Sequence, residues 1–365
     1  MYRVRLICVL VLSSLLLGAC GPADVEPVTP ESTGVTVTDA LGRTVTFDQR
    51  PERIVVTGRA NFFIMDALYM FDGASEMLAA RPTSGQTQVD PFLALLDPAY
   101  VALPSIEHEA SAEQVAAFQP DVVILKGFLA DSIGAAIEAL DIPVVYLDLE
   151  TPEQYTRDLN ILGQLLGQEA RAQAILDAYQ ARQARVVQAT AGLAADERPR
   201  VLLLQYSSRG GEIAFNVPPA AWIQTLLVEQ AGGAPVWTEA SEEGGWVVVN
   251  FEQIAAWNPD QVFVIDYFSN VDETVAGLAA DPQWQALPAV QQGQLYAFPK
   301  DFYSWDQPDT RWILGLTWLA TRIQPQLFAD VDATEEAVAF YTQLYGMDDA
   351  AVREQILPYL QGTLD

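Results

Sequence analysis

The chain has 365 residues, half of them hydrophobic and a tenth aromatic, with 48 acidic against 19 basic side chains and a formal net charge of -29. That length points to two domains rather than one core, and a chain so poor in cations excludes nucleic acid as a partner, since such binding needs clustered Lys and Arg. A single histidine, His108, argues against a bare zinc or manganese carrier, whose sites gather several imidazoles.

Residues 1–19 read as a secretory signal: Arg3 and Arg5, an apolar run from Leu6 to Leu17 too short to cross a bilayer, then small residues. Leu17-Gly18-Ala19-Cys20 resembles a bacterial lipobox, which implies a mature chain starting at a lipid-modified Cys20 and held at a membrane, outside the cytoplasm. With Cys8 removed and Cys20 acylated, no thiol is left for a disulfide or a thiolate metal site. Residues 20–34, rich in Pro, Glu and Thr, read as a flexible tether.

A first α/β unit is expected over residues 35–150. Val35 to Thr38 alternates as a strand, Asp39 to Gly42 supplies turn chemistry, and Thr44 to Phe47 returns. Ile54 to Thr57 fits a buried parallel strand, followed by Gly58-Arg59-Ala60-Asn61 and a helix from Phe62 to Phe71. Loops at the carboxyl ends of parallel strands hold ligands in α/β proteins, which makes Arg59 and Asn61 candidates; the local alternative is that they cap and solvate the helix start. Glu107-His108-Glu109 reads as a solvated loop, because adjacent residues rarely face one ion.

A short pattern then occurs twice. Glu113-Gln-Val-Ala-Ala-Phe-Gln-Pro-Asp-Val-Val-Ile-Leu125 and Glu252-Gln-Ile-Ala-Ala-Trp-Asn-Pro-Asp-Gln-Val-Phe-Val264 agree at seven of thirteen positions, as expected of two alike lobes. Each copy starts with a capping box, Ser111 with Gln114 and Asn250 with Gln253, and each helix is stopped by a proline, Pro120 or Pro259, that hands over to a strand. An acid in the first helical turn complements the helix dipole, but that alone does not require the same acid at the same place twice.

Thr38-Asp39-Ala40-Leu41-Gly42-Arg43 and Pro51-Glu52-Arg53-Ile54-Val55-Val56, taken with Glu113 to Leu125, resemble the substrate-binding proteins of iron-chelate and vitamin B12 ABC importers, over a span from about Val35 to Leu319. The resemblance implies an α/β fold of two Rossmann-like lobes with parallel central sheets joined by a long rigid bridging helix. It also implies a permease dimer as partner, docked through the acids that open the two repeated helices, here Glu113 and Glu252.

Residues 151–193 form the helical link. Thr151 and Pro152 start a helix running to Leu166, and Gly167 punctuates it. Glu169 to Ala191 continues without proline, with Ile175, Ala178, Tyr179, Arg182 and Val186 near one face, and its length of about 35 Å suits an inter-lobe brace. A continuous helix resists bending, so small lobe closure is expected.

The second unit covers residues 199–325. After the strand Val201 to Leu204 comes a loop carrying Tyr206 and Arg209, then a helix from Ala221 to Gln230 and a Gly-containing loop with Trp237 and Trp246. Tyr267 follows the strand Val262 to Ile265, and the crowded stretch Phe302 to Trp312 carries Trp305, Asp306 and Arg311. Arg311, in the first turn of a helix from Thr310 to Ile323, opposes the dipole there and so calls for an anionic partner, a ligand group or Asp306. Residues 326–365 read as packing helices.

No catalytic motif, phosphate loop or metal signature is present, so neither catalytic residues nor a cofactor are assigned. The expected activity is extracytoplasmic solute capture by a monomer for an ABC importer. The expected ligand is a metal chelate (ferric siderophore, haem or corrinoid) held by the aromatics Tyr206, Trp237, Trp246, Tyr267 and Trp305 and the cations Arg59, Lys126, Arg209 and Arg311. Two alternatives stand beside it: an oxyanion such as molybdate or tungstate in the same fold, and a lipid-anchored hydrolase using Asp306 and Asp309.

Overall fold

The computed structural model describes residues 34–83, 90–241 and 244–364. The signal segment, Cys20 and residues 20–33 of the tether lie outside the described residues, as do Glu242 and Glu243.

The described chain opens with an antiparallel hairpin, Val35–Thr38 against Thr44–Phe47, with Val35 opposite Phe47. Its turn is fixed by Arg43, which donates to Asp39 from Nε at 2.9 Å and Nη2 at 2.8 Å and to the Val144 carbonyl at 2.9 Å. The first sheet has three parallel strands, Ile54–Val56, Val122–Lys126 and Val144–Leu147, with Val122–Lys126 in the middle. Every residue of the three is buried, as expected of a parallel sheet covered on both faces and built from Val, Ile and Leu.

The second sheet runs in the order Val247–Val249, Ala214–Val217, Arg200–Ser207, Gln261–Ile265, Leu295–Ala297. The last three are mutually parallel, but Ala214–Val217 is antiparallel to Arg200–Ser207, and Val247–Val249 is antiparallel to Ala214–Val217. The expectation of a parallel sheet is therefore met in its centre and departs at one edge. The cause is local: Gly210 and Gly211 adopt φ of 82° and 87°, a conformation glycine tolerates without strain, and they turn the expected loop back into a paired strand.

Two helices join the lobes. Pro152–Leu166 is capped by Thr151, whose hydroxyl accepts from the Gln154 amide at 3.3 Å, and it ends at Gly167 in the left-handed region. Glu169–Thr190 is the bridge, about 33 Å long at 1.5 Å per residue. Near its start Arg171 Nε donates to Met70 O in the first lobe at 2.8 Å; at its end Thr190 Oγ1 donates to Gln230 O in the second at 2.8 Å. Arg182, expected on the packed face, donates to Gln343 at 3.0 Å and lies 3.4 Å from Glu336, so the C-terminal helix Ala333–Tyr345 covers that side. One apolar core runs from Ile54 and Val56 through Leu162 and Ile175 to Leu203 and Val264, so the lobes share packing as well as chain.

The two linking helices touch closely at Gly163, where an added Cβ would sit 2.5 Å from the Ala172 Cβ. Gly163→Val is expected to lower stability by roughly 1–3 kcal/mol through overpacking. Urea unfolding monitored by tryptophan fluorescence checks it, and an unchanged midpoint would show that the two helices separate freely.

Candidate functional site

The carboxyl ends of the two sheets face a common cavity of about 840 Å³. The first lobe contributes Lys126 and Phe128 from the end of its middle strand, Asp148 and Glu150 after its last strand, and Phe63. The second contributes Gln205, Ser207 and Arg209 from the longest strand and the turn after it, Asn216 from the returning strand, and Trp222, Gln224, Trp246, Tyr267 and Phe268.

Lys126 is wholly buried, a position that disfavours its charge. Its ammonium meets the Asp148 carbonyl, Glu150 Oε1 at 2.5 Å and the Phe63 ring at 4.9 Å. Burial pulls the lysine below its usual range, with Glu150 opposing, and burial pushes the Glu150 carboxyl up, with Lys126 opposing. Asp148 is held by Arg157 at 2.7 Å. On the facing wall Trp246 packs edge-on to Trp222 at 5.7 Å and to Tyr267 at 6.3 Å, while Arg209 lies 4.4 Å over the Phe268 ring.

Behind that wall sits Asp306, fully buried, accepting from the Tyr267 hydroxyl at 2.6 Å and from Gln224 Nε2 at 3.2 Å. Burial holds the Tyr267 hydroxyl well above its usual range, so it remains a donor. Gln224 Oε1 is buried with no hydrogen-bond partner among the described residues, an acceptor left at the cavity wall.

Of the residues singled out from sequence, Lys126, Arg209, Trp246 and Tyr267 line the cavity. Tyr206 does not: the strand extends to Ser207, so side-chain alternation puts Gln205 and Ser207 on the wall and turns Tyr206 toward Phe215, 6.1 Å away. Trp237 is a core residue whose indole donates to Pro218 O at 2.8 Å, and Trp305 is another, donating to Asp301 at 2.9 Å. Asn61 is buried and donates to Gly58 O and Thr83 O, tying down a loop; Arg59 is exposed, 5.7 Å over Phe128. Asp306 supports the wall from behind.

Arg311 finds anions, but neither a cavity wall nor Asp306. It is fully buried, pairing with Asp66 of the first lobe at 2.5 Å, Asp301 at 2.7 Å and Asp309 at 3.4 Å. The residues missed from sequence, among them Glu150, Asn216, Trp222 and Gln224, carry no local signal, except Phe268, which follows Tyr267 after a parallel strand and fell under the same rule.

Glu113 and Glu252 are exposed in the first turns of Ala112–Ala116 and Phe251–Trp257, and both predicted capping boxes form. Hydrogen bonds from its own backbone amide and from Ser111 hold the Glu113 carboxyl below the usual range. Among the described residues no group of three or more His, Cys, Asp and Glu is placed to hold a metal ion, and no helix is long and apolar enough to cross a membrane.

Two α/β lobes tied by a long helix around an aromatic and amide-lined cleft define a two-lobed solute-binding protein. The chain belongs to the periplasmic binding protein family, whose model matches residues 54–302. The molybdate-binding protein MolA of Haemophilus influenzae is 22% identical over 332 residues, which cover 85% of this chain and 90% of that relative. Similar solved structures include a periplasmic solute binding protein from Veillonella parvula, with TM-score 0.70 and 22% identity over 89% of this chain and 97% of that one. Another is an ABC transporter solute binding protein from Sulfurospirillum deleyianum, with TM-score 0.71 and 21% identity over 88% of this chain and 98% of that one.

The Arg311 cluster makes stability depend on pH. Burial pushes the Asp309 carboxyl up to about 7 against the pull of Arg311. That is above the roughly 3.9 of an unfolded aspartate, so the folded state holds the proton more tightly, and the stability it contributes is present below about pH 4 and lost as pH rises to about 7. Asp309→Asn is expected to flatten the fall in unfolding free energy over that window by roughly 1–3 kcal/mol. Urea titrations at several pH values test this, and parallel profiles for the two proteins would refute it.

Proposed function

We propose that this protein is the extracytoplasmic solute-binding component of an ABC importer, anchored through a lipid on Cys20, that carries a bulky solute of the metal-chelate kind in the inter-lobe cavity. One observation carries the reading: the cavity of about 840 Å³ is walled by aromatic rings and side-chain amides contributed by both lobes. That size lies within the roughly 300–1,000 Å³ typical of organic-ligand pockets, and ring faces with a few fixed polar groups suit a large, partly apolar ligand. A small oxyanion, as the name of the Haemophilus relative suggests, would need cations and amides converging on one point. Here the two cations of the cavity stand on different lobes, Lys126 on the first and Arg209, stacked on Phe268, on the second. The second reading therefore draws on the relative's name rather than on the cavity.

On this proposal Glu113 and Glu252, exposed at equivalent helix starts, dock on basic residues of a permease dimer, and the binding protein acts as a monomer. Such rim charges govern encounter and register. Replacing both acids with alanine is expected to weaken permease association about tenfold, about 1.4 kcal/mol, while solute binding is unchanged. Co-purification with the permease and uptake into cells measure the first effect, and tryptophan fluorescence the second. Unchanged uptake and association would remove the docking assignment. Native mass spectrometry of protein from its own host tests the cavity reading directly, where a retained bare oxyanion would overturn the chelate assignment.

A further inference from the structure

Two cations line the cavity, and they differ in kind. Arg209 is exposed on a glycine-rich turn, with its guanidinium over a ring face. Lys126 is fully buried at the end of a central strand, and its three protons face the Asp148 carbonyl, Glu150 and the Phe63 ring. Asp148, the other carboxylate on this wall, is occupied by Arg157 at 2.7 Å, so Glu150 is the carboxylate that balances Lys126.

A buried ammonium without a counter-charge is costly, but exchanging one carboxylate for another keeps it paired. Glu150 is suited to be exchanged. Its side chain remains 43% exposed while Lys126 is 0% exposed, so on leaving it turns into water already in reach. The space it borders is flanked by Phe63 and Phe128. We propose that the Lys126 and Glu150 pair is an exchangeable charge lock: the solute bears a carboxylate that replaces Glu150 on the Lys126 ammonium while its apolar or aromatic body packs on the cavity rings. This rests on reading the cleft as a solute site and adds the charge of the solute. A neutral solute leaves the pair intact and gains nothing from Lys126; a cationic one competes for Glu150 instead.

Lys126 and Lys300 are the only lysines in the sequence, so selectively labelled lysine gives two side-chain NMR signals, assigned with Lys300→Arg. The probes are 2-naphthoate and 2-naphthamide, alike in shape and differing in charge. Naphthoate is expected to shift the Lys126 signal and quench cavity tryptophan fluorescence. Glu150→Gln, which keeps the shape and removes the internal competitor, is expected to bind naphthoate about tenfold more tightly and to raise the preference for naphthoate over naphthamide. Lys126→Met is expected to lose the preference for naphthoate. If Glu150→Gln binds naphthoate more weakly, or millimolar naphthoate leaves its Lys126 signal unmoved, the charge lock is wrong. Equal affinity of both probes for all the proteins sinks the charge inference alone and leaves the solute-site reading standing. That reading is judged separately, by the ligand retained in native mass spectrometry.

Discussion

One buried cation fixes how the two lobes stand. Arg311 joins Asp66 in the first lobe to Asp301 and Asp309 in the second, and the rings of Phe92, Tyr303 and Tyr341 lie 4.5 Å, 5.4 Å and 5.7 Å from its guanidinium carbon. Three carboxylates around one cation carry an excess of negative charge, and burial relieves it by raising Asp66 and Asp309 toward their neutral forms. Such a cluster adds little net stability over a well-packed apolar core, yet losing the arginine would leave carboxylates buried without a partner, a penalty of roughly 3–5 kcal/mol. Its main effect is therefore geometric. The lobes cannot part here without exposing unmatched charge. Beside it Tyr303 donates to Asp90 at 2.5 Å and stacks on Phe62 at 4.8 Å, a second tie between the same lobes.

The segment that supplies this cluster also shapes the cleft. Between Asp301 and Arg311 lie Asp306, which orients Tyr267 and Gln224, and Pro308, whose carbonyl accepts from Tyr155 of the linking helix at 3.2 Å. The bridging helix grips the same segment through Tyr179, which donates to Thr310 O at 2.5 Å. The cavity floor is thus tied to both helices that join the lobes, and large closing motions would break several buried hydrogen bonds together. A pocket held this way selects by complementarity to a preformed shape, and little of the binding free energy is spent on ordering.

Features that depend on nearby residues were legible in the sequence. The capping boxes at Ser111 and Asn250, the helix stop at Gly167 and the bridge from Glu169 all follow from contacts within four or five residues, and they form as read. Features set by distant partners were not. Arg311 and Asp66 are 245 positions apart, and no local rule can choose Asp66 over the neighbouring Asp306. Trp237 and Trp305 carry the same composition signal as Trp246, and only tertiary packing sends two of them to the core and one to the cavity. The case of Tyr206 is finer: a strand longer than expected by a few residues fixes which parity of side chains faces the ligand, so the rule about strand ends was sound and the residue was wrong.

The internal repeat gives the placement of the exposed acids and the cavity rings a physical logic. In each lobe an exposed glutamate opens a short helix, a proline ends it, and a central strand then runs to the cleft. At the offset that superposes Glu113 on Glu252, Phe128 falls on Tyr267, and both line the cavity. One rigid unit thus carries a surface acid at one end and an aromatic cavity residue at the other, once per lobe. At the same offset Lys126 falls on Ile265, an apolar residue buried in its strand. The aromatic wall belongs to the shared plan of the two lobes, whereas the buried lysine belongs to the first lobe alone, so the cleft is asymmetric in charge at positions that the repeat makes equivalent.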